Sequence, residues 1–173
     1  MKVTTLEKEI PLSEFSGGYV DVPRFEACCR ECPNYGKKWA CPPYGFDSME
    51  IWEKYSSIIL YAKKALLSDD ERDGDYRVIL APVKKELSSE LLALEASVPG
   101  SLALFAGGCD VCAECARGRG EPCVRPELMR YSVESIGGDV LRSLRDFFGE
   151  EVEWAENGRL PGKYILLGAL LKP

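Results

Sequence analysis

Histidine is absent from all 173 residues. Without an imidazole there is no Cys2His2 zinc site, no Ser-His or Cys-His nucleophile pair and no histidine proton shuttle. A membrane-spanning segment is also missing: the longest apolar run, Tyr164 to Leu171, is eight residues, against the ~20 that a helix needs to cross a bilayer. The start, MKVTTLEKEI, is polar and shows no apolar h-region of a secretory signal. Positive charge is not in excess either, because 22 Lys and Arg against 28 Asp and Glu leave a net charge of −6. That balance argues against nonspecific binding to nucleic acid or to anionic membranes. Low-complexity tracts and internal repeats are lacking. The absences together lead us to expect a soluble, cytoplasmic protein whose chemistry belongs to sulfur and metal, or to carboxylates.

What the chain does have is eight cysteines in two compact groups. Cys28, Cys29, Cys32 and Cys41 form the first; Cys109, Cys112, Cys115 and Cys123, spaced C-x2-C-x2-C-x7-C, form the second. A chain of this length buries a core large enough to fold without crosslinks, and disulfide-dense frameworks belong mainly to small secreted domains. Reduced thiols that ligate metal are therefore expected at all eight positions. Thiolates two and three residues apart gather in a tight turn, as a tetrahedral ion or an iron–sulfur cube requires.

The second group carries the sharper signal. C-x2-C-x2-C reproduces the first three ligands of a bacterial ferredoxin run, and a fourth ligand, here Cys123, can come from further along. A zinc ribbon shows two C-x2-C pairs held well apart, and three cysteines at successive threes crowd one tetrahedral ion. A [4Fe-4S] cluster is accordingly expected ahead of zinc. In the first group Cys28 and Cys29 are neighbours, whose side chains diverge in an extended segment. The ligands are either Cys29 or Cys28 with Cys32 and Cys41, or all four thiols in a strained turn. Three ligands would leave one iron open to substrate, whereas four would make a second electron-carrying or structural cluster.

Around the ligands, Pro33, Pro42 and Pro43 stiffen the loop, Gly36 and Gly45 permit close turns, and Tyr35, Trp39 and Tyr44 are placed to cover cluster faces. Basic residues beside both groups, among them Lys38, Arg117 and Arg125, would balance the negative charge of a thiolate-bound cluster. Arg125, Arg130 and Glu134 follow Cys123 closely and are a candidate anion or substrate site, with Gly137-Gly138 leading into a helix N-terminus.

The remaining sequence predicts a single α+β domain over 1–173, a mixed sheet covered by helices, with metal loops at about 28–45 and 108–126. Val3 to Ile10 fits a strand by its β-branched residues, although Val3, Leu6 and Ile10 also fit helical spacing. Asp47 and Glu50 have the offset of a capping box and predict a helix through Tyr55. Ser57 to Leu66 reads as a strand. Leu80, Val83, Leu87, Leu91, Leu94 and Val98 lay an apolar stripe along a helix, with Pro82 in its first turn and Pro99-Gly100 at its end. Leu102 to Phe105 predicts a short strand. Gly138-Asp139 opens a helix that Gly149 stops. Val152 and Trp154 then predict a strand that turns at Asn157-Gly158 and Pro161-Gly162 and returns as Lys163 to Leu171.

Three stretches carry a family resemblance: CPNYGKKWACPP from Cys32 to Pro43, GCDVCAEC from Gly108 to Cys115, and CVRPELMRYSVESIGGDV from Cys123 to Val140. In this order they resemble the prokaryotic family DUF2284 of predicted metal-binding proteins. The family looks like an iron–sulfur group of anaerobes and archaea, which implies metal at both cysteine groups but names no reaction. The doublet Cys28-Cys29 departs from the single cysteine of the family pattern. Residues and resemblance together predict two iron–sulfur clusters, [4Fe-4S] in kind, that pass electrons to a redox partner protein or take part in a small-molecule redox reaction. An enzyme with an open-iron cluster at the first group, acting in reduction or desulfuration, and a zinc-stabilised interaction module are the alternatives.

Overall fold

In a computed structural model describing residues 1–173, four strands form one sheet in the order β1-β2-β4-β3. The strands are β1 Lys2–Pro11, β2 Ser57–Leu66, β3 Leu102–Leu104 and β4 Lys163–Lys172. Every neighbouring pair is antiparallel, with Leu6 opposite Ala62 and Leu60 opposite Ala169. The expectation of a mixed sheet is thereby corrected. The parallel pairing that does exist is the isolated bridge between Phe105 and Ser132, just beyond the end of β3.

Five helices cover the sheet: α1 Leu12–Tyr19, α2 Val22–Arg30, α3 Met49–Trp52, α4 Tyr76–Ser97 and α5 Val140–Phe148. On one face Leu87 and Leu91 of α4 pack with Ala103, Phe105, Ala106 and Leu170. On the other, Phe15 and Trp52 join Ile58, Leu60, Val133, Ile136 and Leu144. Burial of each such leucine or isoleucine stabilises the fold by about 1.5–3 kcal/mol. Because β4 is covered on both faces, Leu167 through Leu171 are buried without alternation, the pattern of a central strand. Gly168 is required there, since a Cβ would lie 2.5 Å from Leu91 and 2.6 Å from the Leu104 carbonyl.

The stripe on α4 is where the sequence placed it, with Leu80, Val83, Leu87 and Leu91 buried. Pro82, however, is not in the first turn but inside the helix. Its ring faces solvent, so water can serve the Val78 carbonyl that Pro82 leaves without a helical donor. The helix after Asp47 ends at Trp52 rather than Tyr55, and Asp47 accepts from the Met49 amide at 2.9 Å. Asp139 caps α5 by accepting from the Arg142 amide at 2.9 Å, and Gly149 ends it in the left-handed region at φ 65°.

The strand expected at Val152 and Trp154 does not form: this segment is irregular, and Trp154 is 71% exposed. The edge of β4 from Lys163 to Gly168 has no β3 partner, yet Val152–Trp154 does not pair with it. The Asn157-Gly158 turn is present, closed by a bridge from Glu156 to Arg159. Two helices, α1 and α2, fill a stretch to which the sequence assigned no element, and the second carries Cys28 and Cys29 in its last turn. The doublet is thus helical, not extended. Asp21 caps α2 by accepting from the Arg24 amide at 3.1 Å, and Pro23 lies in its first turn.

Backbone bonds fasten the start of α2 to the chain before α5. The Asp21 amide donates to the Gly137 carbonyl at 2.8 Å and the Asp139 amide to the Tyr19 carbonyl at 2.7 Å. Gly137 has φ +100°, and a Cβ there would stand 2.7 Å from the Val22 side chain. This seam sets α2 and its thiols beside the Glu134–Ile136 turn. Trp52 pins that turn from the core through Nε1, which donates to the Ile136 carbonyl at 2.9 Å.

Candidate metal centres

Past Phe105 the chain leaves the sheet and winds irregularly through the second cysteine group, with one short turn at Ala116–Arg119. Cys109, Cys112, Cys115 and Cys123 all line one pocket, together with Trp39, Ala40, Val111, Arg125 and Met129. All four thiols are half-buried and none is in a disulfide. Spacing alone gathers the first three, and the turn at Gly120, φ +73°, brings the chain back to Cys123.

Two of the pocket's nine lining residues come from elsewhere in the chain. Trp39 and Ala40 belong to the first cysteine loop, and the Trp39 indole donates to the Glu121 carbonyl at 3.0 Å. Arg117 lies over the Trp39 ring at 5.2 Å and donates to three carbonyls of that loop: Lys38 at 2.9 Å, Cys41 at 2.5 Å and Pro43 at 2.5 Å. Lys38 reaches back, donating to the Cys109 carbonyl at 3.0 Å and to Asp110 at 2.7 Å. Lys84 from α4 donates to the Gly108 carbonyl at 2.8 Å and also pairs with Asp110. Burial alone would raise the Asp110 carboxyl, but the bonds from Lys38 and Lys84 hold it below its ordinary range. The two cysteine loops are clasped to one another.

In the first group Cys41 is buried, Cys29 half-buried, and Cys28 and Cys32 exposed. Burial pushes the Cys29 thiol up to about 11, and the charge that adds most to this is Glu134, ahead of Cys32 and Cys28. Cys41 is likewise pushed up to about 11 by burial, with Cys32, Cys29 and Glu134 adding to it and Lys38 opposing. Cys29, Cys32 and Cys41 therefore act on one another as a set. Tyr44 also borders them: its phenol is raised by burial and by the charges of Cys41 and Cys29. Cys41 Sγ lies 3.7 Å from where a Cβ on Gly108 would stand, so the first group abuts the entry to the second.

No three Cys, Asp or Glu side chains are gathered closely enough to hold a single metal ion. Around one tetrahedral zinc, at 2.3 Å from each sulfur, the sulfurs would stand about 4 Å apart. The donors' chemistry is that of soft thiolates, which suit zinc, copper(I) and iron–sulfur clusters rather than magnesium or calcium.

The three residues of the candidate anion site go to different places. Arg125 lines the pocket of the second group and pairs with Glu127 at 2.8 Å. Arg130 is held by both carboxylate oxygens of Glu95, donating from Nε to Oε1 at 2.9 Å and from Nη2 to Oε2 at 2.5 Å, away from the cysteines. Glu134 turns its carboxyl to its own amide, the Ser132 hydroxyl and the Gly107 amide, and its charge helps raise Cys29 and Cys41. The N-terminus of α5 is already served by Asp139, which also pairs with Arg24 at 3.4 Å. Of the aromatics, Trp39 covers the second group instead of the first, and Tyr35 donates to Glu26 at 3.5 Å. Lys84, Asp110 and Ala40 were not legible as site residues. Gly107-Gly108, immediately before Cys109, was the signal for a close approach there.

Eight sulfur donors in two sets on an α+β scaffold are the makings of a metal-binding protein. The chain belongs to the DUF2284 family, described as predicted metal-binding protein, whose profile matches residues 19–171. Only β1 and most of α1 precede the matched region, which takes in both cysteine groups. Among curated proteins and among solved structures, nothing matches the chain. No helix is long and apolar enough to cross a membrane.

Proposed function

We propose that this protein binds two iron–sulfur clusters, [4Fe-4S] in kind, and carries electrons in the cytoplasm to a partner protein or a small molecule. The observation that carries the reading is the single pocket ringed by Cys109, Cys112, Cys115 and Cys123 and walled by Trp39, Val111 and Met129. Four thiolates in a largely apolar wall, three of them at ferredoxin-like spacing, suit a cube. Such a cluster, when bound, supplies one-electron redox chemistry. The protein's part is to set its potential and shield it. Arg125 at the pocket and Lys38 and Arg117 beside it offset the negative charge of the thiolates, and Trp39 keeps water from one face.

The clasp supports transfer between the two sites. Lys38, Trp39 and Ala40 touch the second site while Cys41, the next residue, belongs to the first. An electron entering at one site has only a few packed residues to cross. Anaerobic purification with iron, sulfide and zinc analysis tests the reading. Iron with matching acid-labile sulfide, and a visible absorption that bleaches in air, is the expected result. Zinc without sulfide would overturn it in favour of a zinc-stabilised interaction module.

A second reading makes the first group an enzyme site with an open iron, acting in reduction or desulfuration. It is favoured by the openness of the first group, where Cys28 and Cys32 are exposed beside the buried Cys41. A change in the cluster's EPR signal on adding substrate would separate this reading from simple electron transfer.

A further inference from the structure

We propose that β1 is a docking edge on which a second copy of this chain lays its own β1, antiparallel, joining two four-stranded sheets into one. The inference does not depend on which metal the cysteines hold.

The two margins of the sheet differ. β3 is three residues long, with Ala103 and Leu104 buried. A margin so short and covered offers no place for another strand. β1 is ten residues long, has β2 on its inner side and no strand on its outer side, and is exposed at all but Val3, Leu6 and Ile10.

Which backbone groups face outward follows from the register. Lys2 through Pro11 stand opposite Leu66 through Ser57, and the next pair in that register is bonded, the Leu12 amide donating to the Ser56 carbonyl at 2.9 Å. Bonded pairs in an antiparallel ladder recur at every second residue. The even-numbered residues of β1 therefore direct their amides and carbonyls to β2. Val3, Thr5, Glu7 and Glu9 direct theirs outward, where no backbone group of the chain meets them. Such a row is a template for strand addition.

The side chains select the occupant. The chain carries a net charge of −6, yet along β1 Lys2 and Lys8 balance Glu7 and Glu9, so this margin is a neutral strip on an acidic protein. Two copies meet about a two-fold axis, and the outward-facing residues of each must then oppose one another. An axis at Glu7, Lys8 or Glu9 sets that residue against itself, and an axis at Thr5 sets Lys2 against Lys8 of the second copy; like charges directly opposite are unfavourable. An axis at Thr4 pairs only half of the strand. An axis at Leu6 opposes Leu6 to Leu6, Glu7 to Thr5, Lys8 to Thr4, Glu9 to Val3 and Ile10 to Lys2, with no like charges facing. It also forms about eight backbone hydrogen bonds, two for each bonded pair. Leu6 is half-buried against the main core, so the paired leucines continue that core across the joint. Lysines on an edge ward off foreign strands, and here they also exclude the wrong registers.

Sedimentation of the full chain through the micromolar range tests the proposal, under anaerobic reducing conditions so that the exposed Cys28 and Cys32 form no crosslinks. The parent should reach twice the mass of one chain. Glu7→Pro removes one outward amide and leaves the ladder to β2 intact; it should stay monomeric with an unchanged circular dichroism spectrum. Thr4→Glu, brought opposite Lys8 of the second copy, should tighten the dimer roughly fivefold, and Thr4→Lys should loosen it by about as much. A parent that stays monomeric throughout would overturn the proposal, as would a Glu7→Pro variant that pairs as tightly as the parent. Should Glu7→Pro fail to fold, the two Thr4 variants decide, and equal effects of both would show that β1 does not meet β1 in this register.

Discussion

The two cysteine groups stand side by side yet are assembled by different means. In the second, four half-buried thiols surround a pocket in a segment with almost no regular structure, and local spacing alone gathers three of them. In the first, the thiols come from a helix end, a tight loop and a buried position, and α2 is set by its seam with the Glu134–Ile136 turn a hundred residues later. A site made by local spacing depends on its own loop, whereas one made by tertiary packing depends on the seams that hold its elements together. Metal binding should accordingly organise the second loop more than the first.

That contrast can be broken by substitution. The largest effect is expected for Cys41→Ser, which removes the one buried thiol of the first group. Metal analysis should show the first site's metal lost and the second's kept. Loss of both would mean that the clasp, and not the separate donor sets, defines the sites.

Gly137→Ala comes next. Its Cβ would press to within 2.8 Å of the Val22 Cα, at a φ of +100° that side chains rarely adopt. A cost of about 3 kcal/mol is expected from strain and overpacking together, read by chemical denaturation. The shift of α2 should weaken metal binding at the first group and spare the second. Equal weakening at both would contradict the difference drawn between them.

Arg117→Ala should do less harm to the fold but act on both sites. Three carbonyls, of Lys38, Cys41 and Pro43, lose a charged donor, and about 2 kcal/mol is expected where the arginine is half-exposed. Arg117→Lys should recover only part of this, because a single ammonium cannot serve two directions as the guanidinium fork does. Full recovery by lysine would show that the charge, not the fork, matters.

The smallest effect is one of pH in the metal-free protein. Cys29 and Cys41 are pushed up to about 11, chiefly by burial. A thiol raised in the folded state stays protonated there while its unfolded counterpart, near 9, ionises. The stability that this gives is complete below pH ~9 and is lost as pH rises toward ~11. Alkylation of these two thiols should quicken by roughly tenfold per pH unit across that window, followed residue by residue with mass spectrometry. Rates already level at pH 9 would show that the pair is not sheltered as described.

How far the sequence revealed all this follows the same division. The second cysteine group, the strands Ser57–Leu66 and Lys163–Leu171 and the stripe on α4 were legible because spacing and periodicity are local. Helices α1 and α2 were not. Gly17 and Gly18 lie inside α1 and weaken its short stripe of Leu12, Phe15 and Tyr19, and α2 buries no residue fully. Only the cap at Asp21 followed by Pro23 marked the start of α2. Val152 and Trp154 misled in the opposite way: the alternation is present, but the segment pairs with no strand and leaves Trp154 exposed. Glu134 was visible as a polar residue near Gly137-Gly138, but its approach to Cys29 depends on the seam between α2 and the Glu134–Ile136 turn, which no local pattern encodes.

The central claim is that two separate sulfur-ligated clusters share one clasped pair of loops, and iron and acid-labile sulfide per chain test it most directly. Anaerobically prepared protein should contain about eight of each, the content of two cubes, and Cys112→Ser about half as much. Zinc in place of iron and sulfide, or a Cys112→Ser variant that has lost all its iron, would contradict the account.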